Sequence, residues 1–333
     1  MGQFTSFTPE QIRKEFPFFQ GYKNFFIIVD EDEGRCDILL DTVSTLFVDW
    51  GLVNIVKAEG VALSARRMGF KGLITCKLGH GKLHFGPSGY ELGALGVESI
   101  ELNGEEVTSI WHSIGGAALV PTLFFSQAKH GVKRVYLPSD YKDLLKKGGD
   151  LKLETRIVTE KYIPLIITFD DTDSKESGAT WAMMYQITQE VIKKFDAVLI
   201  DCLVAQLNPE VKEKTVNCAS TGFIMAIKQE DREALIKYSL KRAKEMTVSN
   251  EAHMVVWNHL FVPDEIKNYG IDAKRKIISL DEALDFADRM KLEHYKISGK
   301  RGLIGAIATV GLMNSGIASV AMYNDPVLKK IEG

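Results

Sequence analysis

Cysteine is scarce in this chain and never closely spaced: Cys36, Cys76, Cys202 and Cys218 stand apart, with no C-x-x-C pair among them. That excludes a zinc ribbon or a dithiol redox motif and suits reduced thiols. A surplus of either charge is missing too, since 41 basic and 44 acidic residues leave a net charge of -3. Bulk attraction to a phosphate backbone is therefore unavailable, and nucleic acid would need a local patch. Met1 to Phe7 lack the basic-then-apolar layout of a signal peptide, so no export is expected and the chain reads as cytoplasmic. Residues 302–323 carry no charge and are long enough to span a bilayer, but four glycines with Asn314 and Ser315 mark them as buried helix, turn and strand. No membrane partner is expected. Internal repeats and low-complexity tracts are also absent.

What is present is an ordinary globular composition, 45% hydrophobic and 26% charged over 333 residues, enough for two or three domains. Thr8-Pro9 offers a capping hydroxyl and a preset φ for a short helix. Asn24 to Asp30 and Arg35 to Thr42 form a hairpin around Glu31 to Gly34, and Asn103-Gly104 supplies the positive φ angles for a second one. A helix is predicted over Ala117 to His130, interrupted by Pro121, and Lys142 to Lys152 reads as a surface connection. Beyond a boundary near 160, Ile163 to Phe169 is an apolar strand of the kind buried on both faces. Trp181, Met184, Thr188, Val191 and Phe195 give the following helix one apolar face. Strands over Val198 to Val204, Gly222 to Ile227 and Met254 to Trp257 alternate with a helix over Glu230 to Met246. Ser279-Leu280-Asp281-Glu282 is a capping box, and Ile304 to Met313 is a helix before a strand at Ile317 to Tyr323. The layout is α/β (α+β), with an N-terminal mixed domain over 1–160, a second domain over 161–248 and a ferredoxin-like unit over 249–333.

The chemistry concentrates in Asp170-Asp171-Thr172-Asp173-Ser174, three carboxylates and two hydroxyls directly after a buried strand. Carboxylates this close repel one another, and a hard cation such as Mg²⁺ bridging them to nucleotide phosphates relieves that repulsion. The plainer alternative is an acidic turn that merely caps the Trp181 helix. An EF-hand loop counted from Asp171 fails, because Lys175 and Glu176 occupy its fifth and sixth positions. A haloacid-dehalogenase-type phosphatase is the enzymatic runner-up, although Lys175 stands where that family has threonine or valine. In the N-terminal domain, Gly79-His80-Gly81-Lys82 is no Walker motif, since Leu83 follows the lysine and Cys76 takes the first glycine's place. Cys76, His80 and His84 lack a fourth metal ligand.

Asp170 to Ser174, then Gly178-Ala179-Thr180, then Leu207-Asn208-Pro209 followed by Lys214-Thr215 and Asn217, resemble the P-loop-free kinase domain of archaeal tRNA 2-agmatinylcytidine synthetase. Ile277 to Met290 and Lys300-Arg301-Gly302-Leu303-Ile304-Gly305-Ala306 resemble its ferredoxin-like domain, so the likeness covers about half the chain. The overall layout also resembles methanogenesis marker protein 11, an archaeal family.

The resemblance implies ATP and Mg²⁺ as cofactors. Asp170, Asp171 and Asp173 would be the metal and catalytic ligands, with Thr180 nearest to the family's phosphorylated threonine. Thr172, Ser174, Gly178, Asn208, Lys214, Thr215, Asn217 and Arg301 would contact the nucleotide. This sequence departs from the pattern by one extra residue between Ser174 and Gly178 and by a single threonine before Trp181. Gly333 arrives without the barrel and zinc ribbon by which the family holds tRNA. The expectation is an ATP-dependent transferase or ligase-like enzyme that activates a small-molecule or protein acceptor, with tRNA disfavoured and the N-terminal domain supplying the acceptor pocket. The alternatives are a non-catalytic nucleotide-binding assembly protein or a tRNA modification enzyme.

Overall fold

The structure is a computed structural model that describes residues 3–17 and 21–331. The chain is of mixed α+β class and divides into two compact units, Met1–Tyr162 and Ile163–Gly333.

In chain order the first unit contains β1 (Phe4–Phe7), α1 (Pro9–Glu15), β2 (Tyr22–Asp30), β3 (Arg35–Thr42), α2 (Thr45–Lys57), β4 (Ala62–Met68), β5 (Lys71–Lys77) and β6 (Gly79–His80). It continues with β7 (Leu95–Asn103), β8 (Glu106–Ile114), β9 (Val132–Pro138), α3 (Tyr141–Leu145) and the first part of β10 (Lys152–Asp170). Antiparallel ladders run β4-β5-β3-β2 on one side, while β8 and β9 flank β10 on the other. Both expected hairpins form, with Gly34 and Gly104 at φ of 60° and 62°. Thr8 caps α1 through a reciprocal box with Gln11. The helix expected over Ala117 to His130 is instead a chain of 3₁₀ turns and one π turn over Val120–Phe124. Pro121 has no N–H to give and its ring crowds the preceding turn, so a continuous α-helix cannot run through it. Lys142 to Lys152 is not the connection either. It carries α3 inside the first unit, and β10 itself passes from one unit into the next.

After the end of β10, the second unit contains α4 (Thr180–Lys194), β11 (Val198–Gln206), β12 (Ala219–Ile227), α5 (Arg232–Met246), β13 (His253–Trp257) and α6 (Asp264–Arg275). Then come α7 (Leu280–Arg289), β14 (Glu293–Lys296), α8 (Leu303–Leu312) and α9 (Ile317–Val320). Its sheet has the order β11-β12-β10-β13-β14, antiparallel at every junction. Strand alternation decides what each face buries. Leu165, Ile167 and Phe169 pack with Met184, Ile187 and Val191 of α4 and Leu235 of α5. Each such side chain stabilises the unit by about 1.5–3 kcal/mol when fully buried. Ile166 and Thr168 face the other way, and Thr168 Oγ1 donates to the Ala306 carbonyl of α8 at 2.8 Å. The next residue on that face is Asp170, so the strand's own period delivers its carboxylate to the start of α8.

Two details depart from expectation. Trp181 stands at the edge of the α4 apolar face and is 54% exposed, while Met183, Met184, Ile187, Thr188 and Val191 are buried. Ile317 to Tyr323 is not a strand: Gly316 turns at φ 54° into the single helical turn of α9. No strand among the described residues pairs with it.

Candidate functional site

Strands, helices and loops of the second unit surround a cavity of about 440 Å³. Its floor is the end of β10, where Asp170, Asp171 and Asp173 turn away from the sheet; Lys214, Thr215, Asn217 and Arg301 stand around them. The remaining wall is largely apolar, with Leu207, Val211, Ile277, Ile278, Leu280 and Ile304. Gly305 makes the floor possible, because a Cβ there would sit 2.0 Å from Asp170 Oδ2. Asp171 has a φ of 53°, the left-handed region that Asp and Asn tolerate better than most residues. That turn points its carboxylate at Arg301, whose Nε donates to Asp171 Oδ2 at 2.8 Å.

The electrostatics are those of negative charge gathered with little to balance it. Burial pushes the Asp170 carboxyl well above the ordinary carboxylate range, and the Asp171 and Asp173 charges push the same way against Arg301. Burial also raises Asp171, opposed by its bond to Arg301. The Cys218 thiol on the same wall is pushed up to about 11 by burial, with Asp170 and Asp171 adding to the effect. It is an inert neutral thiol there, since the thiolate is the reactive form. Among the described residues no three His, Cys, Asp or Glu side chains form a ready metal-ligand group. The oxygen donors of Asp170, Asp171 and Asp173 are nevertheless of the hard type, and a cation that takes most of its ligands from phosphates and water needs only one or two carboxylates.

Not every residue singled out in the sequence reaches the cavity. Thr172 and Thr180 are buried beside it: Thr172 Oγ1 donates to Thr180 Oγ1 at 3.0 Å, and Thr180 Oγ1 donates to Asp173 Oδ1 at 3.2 Å. Ser174 Oγ closes a local turn by accepting from the backbone N–H groups of Glu176 and Ser177. Gly178, at φ 87°, packs against Asp173 and Val248. Asn208 is buried, its side chain accepting from Glu210 N at 2.9 Å. Lys214 does line the cavity, but its Nζ donates to the Pro209 carbonyl and holds its own loop.

Glu251 was not visible in the sequence as a site residue. Its carboxylate accepts from the N–H groups of Arg301 at 3.2 Å and Lys300 at 3.4 Å, so the protein itself occupies the anion-binding donors ahead of α8. No local pattern marks it, because it meets Arg301 only across a separation of 50 residues.

The TiaS TCKD domain model matches residues 166–235, which include the acidic floor. The tRNA 2-agmatinylcytidine synthetase TiaS of Saccharolobus islandicus is 28% identical over 158 residues, covering 44% of this chain and 35% of the synthetase. That of Pyrococcus horikoshii is 26% identical over 150 residues, again across 35% of its length. The chain thus spans about a third of those enzymes. A crystal structure of TiaS in complex with its tRNA and ATP is matched with a TM-score of 0.40 and 22% identity, over 45% of this chain and 36% of that one. The widest of these matches is to the uncharacterized protein MJ0921 of Methanocaldococcus jannaschii, 30% identical over 292 residues, which is 87% of this chain and 93% of that protein. The chain therefore belongs to the MJ0921 family, and within that family's length it carries a TiaS-like domain beginning on the strand that ends in Asp170.

Proposed function

We propose that the second unit binds Mg²⁺-ATP in the 440 Å³ cavity and activates an oxygen of an acceptor by phosphoryl transfer, with tRNA as the acceptor to test first. The observation that carries this reading is the convergence of Asp170, Asp171 and Asp173 with Arg301 and Lys214 at one cavity inside a TiaS-like domain. A volume of that size suits a nucleotide, and the wall of Ile277, Ile278, Leu280 and Ile304 suits its base. Bound there, Mg²⁺ would supply positive charge to the phosphates. In this reading segments 161–248 and 249–333 act as two halves of one site, the first giving the carboxylates and the second Arg301 and the apolar wall.

The chain's own residues do the positioning. Asp170, Asp171 and Asp173 offer oxygen ligands to the cation, and relief of their crowding favours binding. Arg301 and Lys214 neutralise phosphate oxygens, while Thr215 and Asn217 donate hydrogen bonds to them. Thr172, Ser174, Gly178 and Asn208 fix the loops behind the wall. In the transfer step the acceptor oxygen bonds to the γ-phosphorus as the bond from that phosphorus to the bridging oxygen of ADP breaks. An amine can then attack the activated carbon, and phosphate leaves with the former acceptor oxygen. In a two-step variant Thr180, at the α4 N-terminus and bonded to Asp173, is the carrier: its Oγ would take the γ-phosphoryl as ADP leaves, and the acceptor oxygen would then take that phosphoryl from Thr180 and restore its hydroxyl.

The near-neutral charge of the chain pointed away from tRNA. The synthetases that match this domain are named for tRNA, and a local patch satisfies the electrostatic requirement without net charge. Incubation with Mg²⁺-ATP, with and without total archaeal tRNA, followed by chromatography of the nucleotides tests the reading. Nucleotide turnover stimulated by tRNA is the expected result. Turnover indifferent to tRNA returns the acceptor to a small molecule or a protein side chain. Binding without turnover makes this a nucleotide-binding assembly protein, and no nucleotide binding rejects the site.

A further inference from the structure

Arg301 is the guanidinium of the cavity, and the structure holds it at both ends. Its side-chain Nε donates to Asp171 Oδ2 at 2.8 Å, and its backbone N–H donates to Glu251 Oε2 at 3.2 Å. Glu251 lies two residues before His253, which stands opposite Asp170 in the β10–β13 ladder, so the start of β13 places it at the end of β10. Gly299 leaves room for its carboxylate, because a Cβ at that position would lie 2.7 Å from Glu251 Oε2. The Lys300 N–H reaches the same oxygen at 3.4 Å, and the Gly302 N–H donates to the Glu251 carbonyl at 2.9 Å. Tied to the backbone in this way, the carboxylate is a fixed charge on the cavity wall.

The balance of charge around it runs against an anion. Besides the three aspartates, Glu213 and Glu251 line the cavity, and Lys214, Lys276 and Arg301 oppose these five carboxylates. Even with Asp170 protonated, four negative charges face three positive ones. Two of the positive charges are already engaged, since Lys276 Nζ lies 3.4 Å from Asp272 Oδ2 and Arg301 is bonded to Asp171. Burial works against the Arg301 charge, yet the bond to Asp171 and the charges of Asp171, Glu251 and Glu213 hold its pKa above the ordinary value. Burial raises the Asp171 carboxyl, and the charges of Asp173 and Glu251 push it the same way against Arg301. A phosphate chain entering alone would meet this surplus where solvent and salt screen it poorly. With a divalent cation on the aspartates the surplus is cancelled, and the Arg301 guanidinium is free to turn to phosphate.

We propose that Glu251 is a specificity-determining residue of the nucleotide site, whose fixed charge admits the nucleotide as its divalent-cation complex and turns away the bare polyanion. The inference rests on the reading of the cavity as a Mg²⁺-ATP site. Glu251 touches no reacting atom in it, and its effect is on the charge state of the ligand that binds.

Titration calorimetry on the full chain, with ATP in Mg²⁺ and again in EDTA, tests the proposal. The parent should bind Mg²⁺-ATP and discriminate strongly against metal-free ATP. Glu251→Gln keeps an oxygen to accept from Lys300 and Arg301 but loses the charge, so metal-free ATP should bind about tenfold tighter than to the parent and the preference for the complex should shrink. A loosened loop would instead weaken both forms alike. Glu233→Gln, exposed on α5, removes the same net charge outside the cavity and should leave the preference as it is in the parent. The parent also answers without any variant: in EDTA, AMP should bind better than ADP and ADP better than ATP, because each added phosphate charge is repelled. Equal affinity of the parent for ATP with and without Mg²⁺, a Glu251→Gln variant with the parent's preference, an equal change from Glu233→Gln, or metal-free affinity rising from AMP to ATP would each overturn the role of Glu251 and leave the nucleotide site standing. No binding of Mg²⁺-ATP to the parent would remove the site and this inference together.

Discussion

The two hollows of this molecule show what different occupants ask of a protein. The cavity at the end of β10 gathers carboxylates, a guanidinium and the ammonium groups of Lys214 and Lys276 around an apolar wall, whereas the hollow beside α2 is lined by Tyr22, Phe47, Trp50, Val120 and Phe124 alone. In the first, concentrated negative charge costs stability until a cation arrives, which makes it a place for a small charged ligand that comes and goes. In the second, water is the poor partner, and coverage by another apolar surface is the stable outcome. Building the first also required strain and small residues, with Asp171 at positive φ and Gly305 giving way to Asp170. The second required nothing but side chains pointing outward.

The largest expected effect is on the charged cavity. Asp171→Asn keeps a residue that tolerates positive φ but removes the charge, so Mg²⁺-ATP affinity by titration calorimetry should fall roughly 10- to 100-fold. Unchanged affinity would separate this motif from nucleotide binding. Gly305→Ala should be nearly as severe, because its Cβ would lie 2.0 Å from Asp170 Oδ2. Overpacking there should cost about 1–3 kcal/mol in urea unfolding and weaken nucleotide binding with it. A variant as stable and as tight as the parent would mean that the floor yields easily.

Asp170→Asn should act in opposite directions on binding and stability. The folded-state carboxyl is raised above its ordinary value of 3.8. The proton's contribution is therefore fully present below that value and lost as pH rises through the folded-state titration. Asparagine never ionises, so the nucleotide-free variant should melt higher at pH 7.5, by about 2–4 °C for each kcal/mol relieved, with the gain vanishing near pH 4. A lower melting temperature at pH 7.5 would show that the charge is not a burden. Smaller still is covalent phosphate on Thr180, expected at sub-stoichiometric occupancy by phosphopeptide mass spectrometry after incubation with ATP. Modification at another residue would move the carrier role elsewhere. Trp50→Glu should leave Mg²⁺-ATP affinity within about twofold, since α2 contributes nothing to the charged cavity, and a larger change would undo the contrast between the two hollows.

Much of this could be read locally. Asn103-Gly104, the Thr8 hydroxyl cap and the Ser279 capping box are short-range devices whose geometry lies in nearby residues, and they form as expected, with Gln11 completing a box at Thr8 beyond that expectation. The apolar run ending in Asp170 told in advance where the carboxylates would emerge. A strand end marks a ligand site by general rule only in parallel sheets, and the second unit's sheet is antiparallel at every junction, so that rule gives no support here. Helix α2 was missed because apolar residues stand on its outward as well as its inward side and blur the 3.6-residue contrast. The strand expected at Ile317 to Tyr323 has the right composition, but a strand needs a neighbour to take its backbone hydrogen bonds.

By itself, then, the sequence determined the acidic turn, the capped helix starts and the apolar strand periods, since each depends on residues within a few positions of one another. Only the tertiary structure decided that Arg301 would hold Asp171, that Glu251 would occupy the donors before α8, and that Gly305 would stand where Asp170 needs space. Those pairs lie far apart along the chain, and their meeting is set by how β10, β13 and α8 pack, which no local pattern encodes.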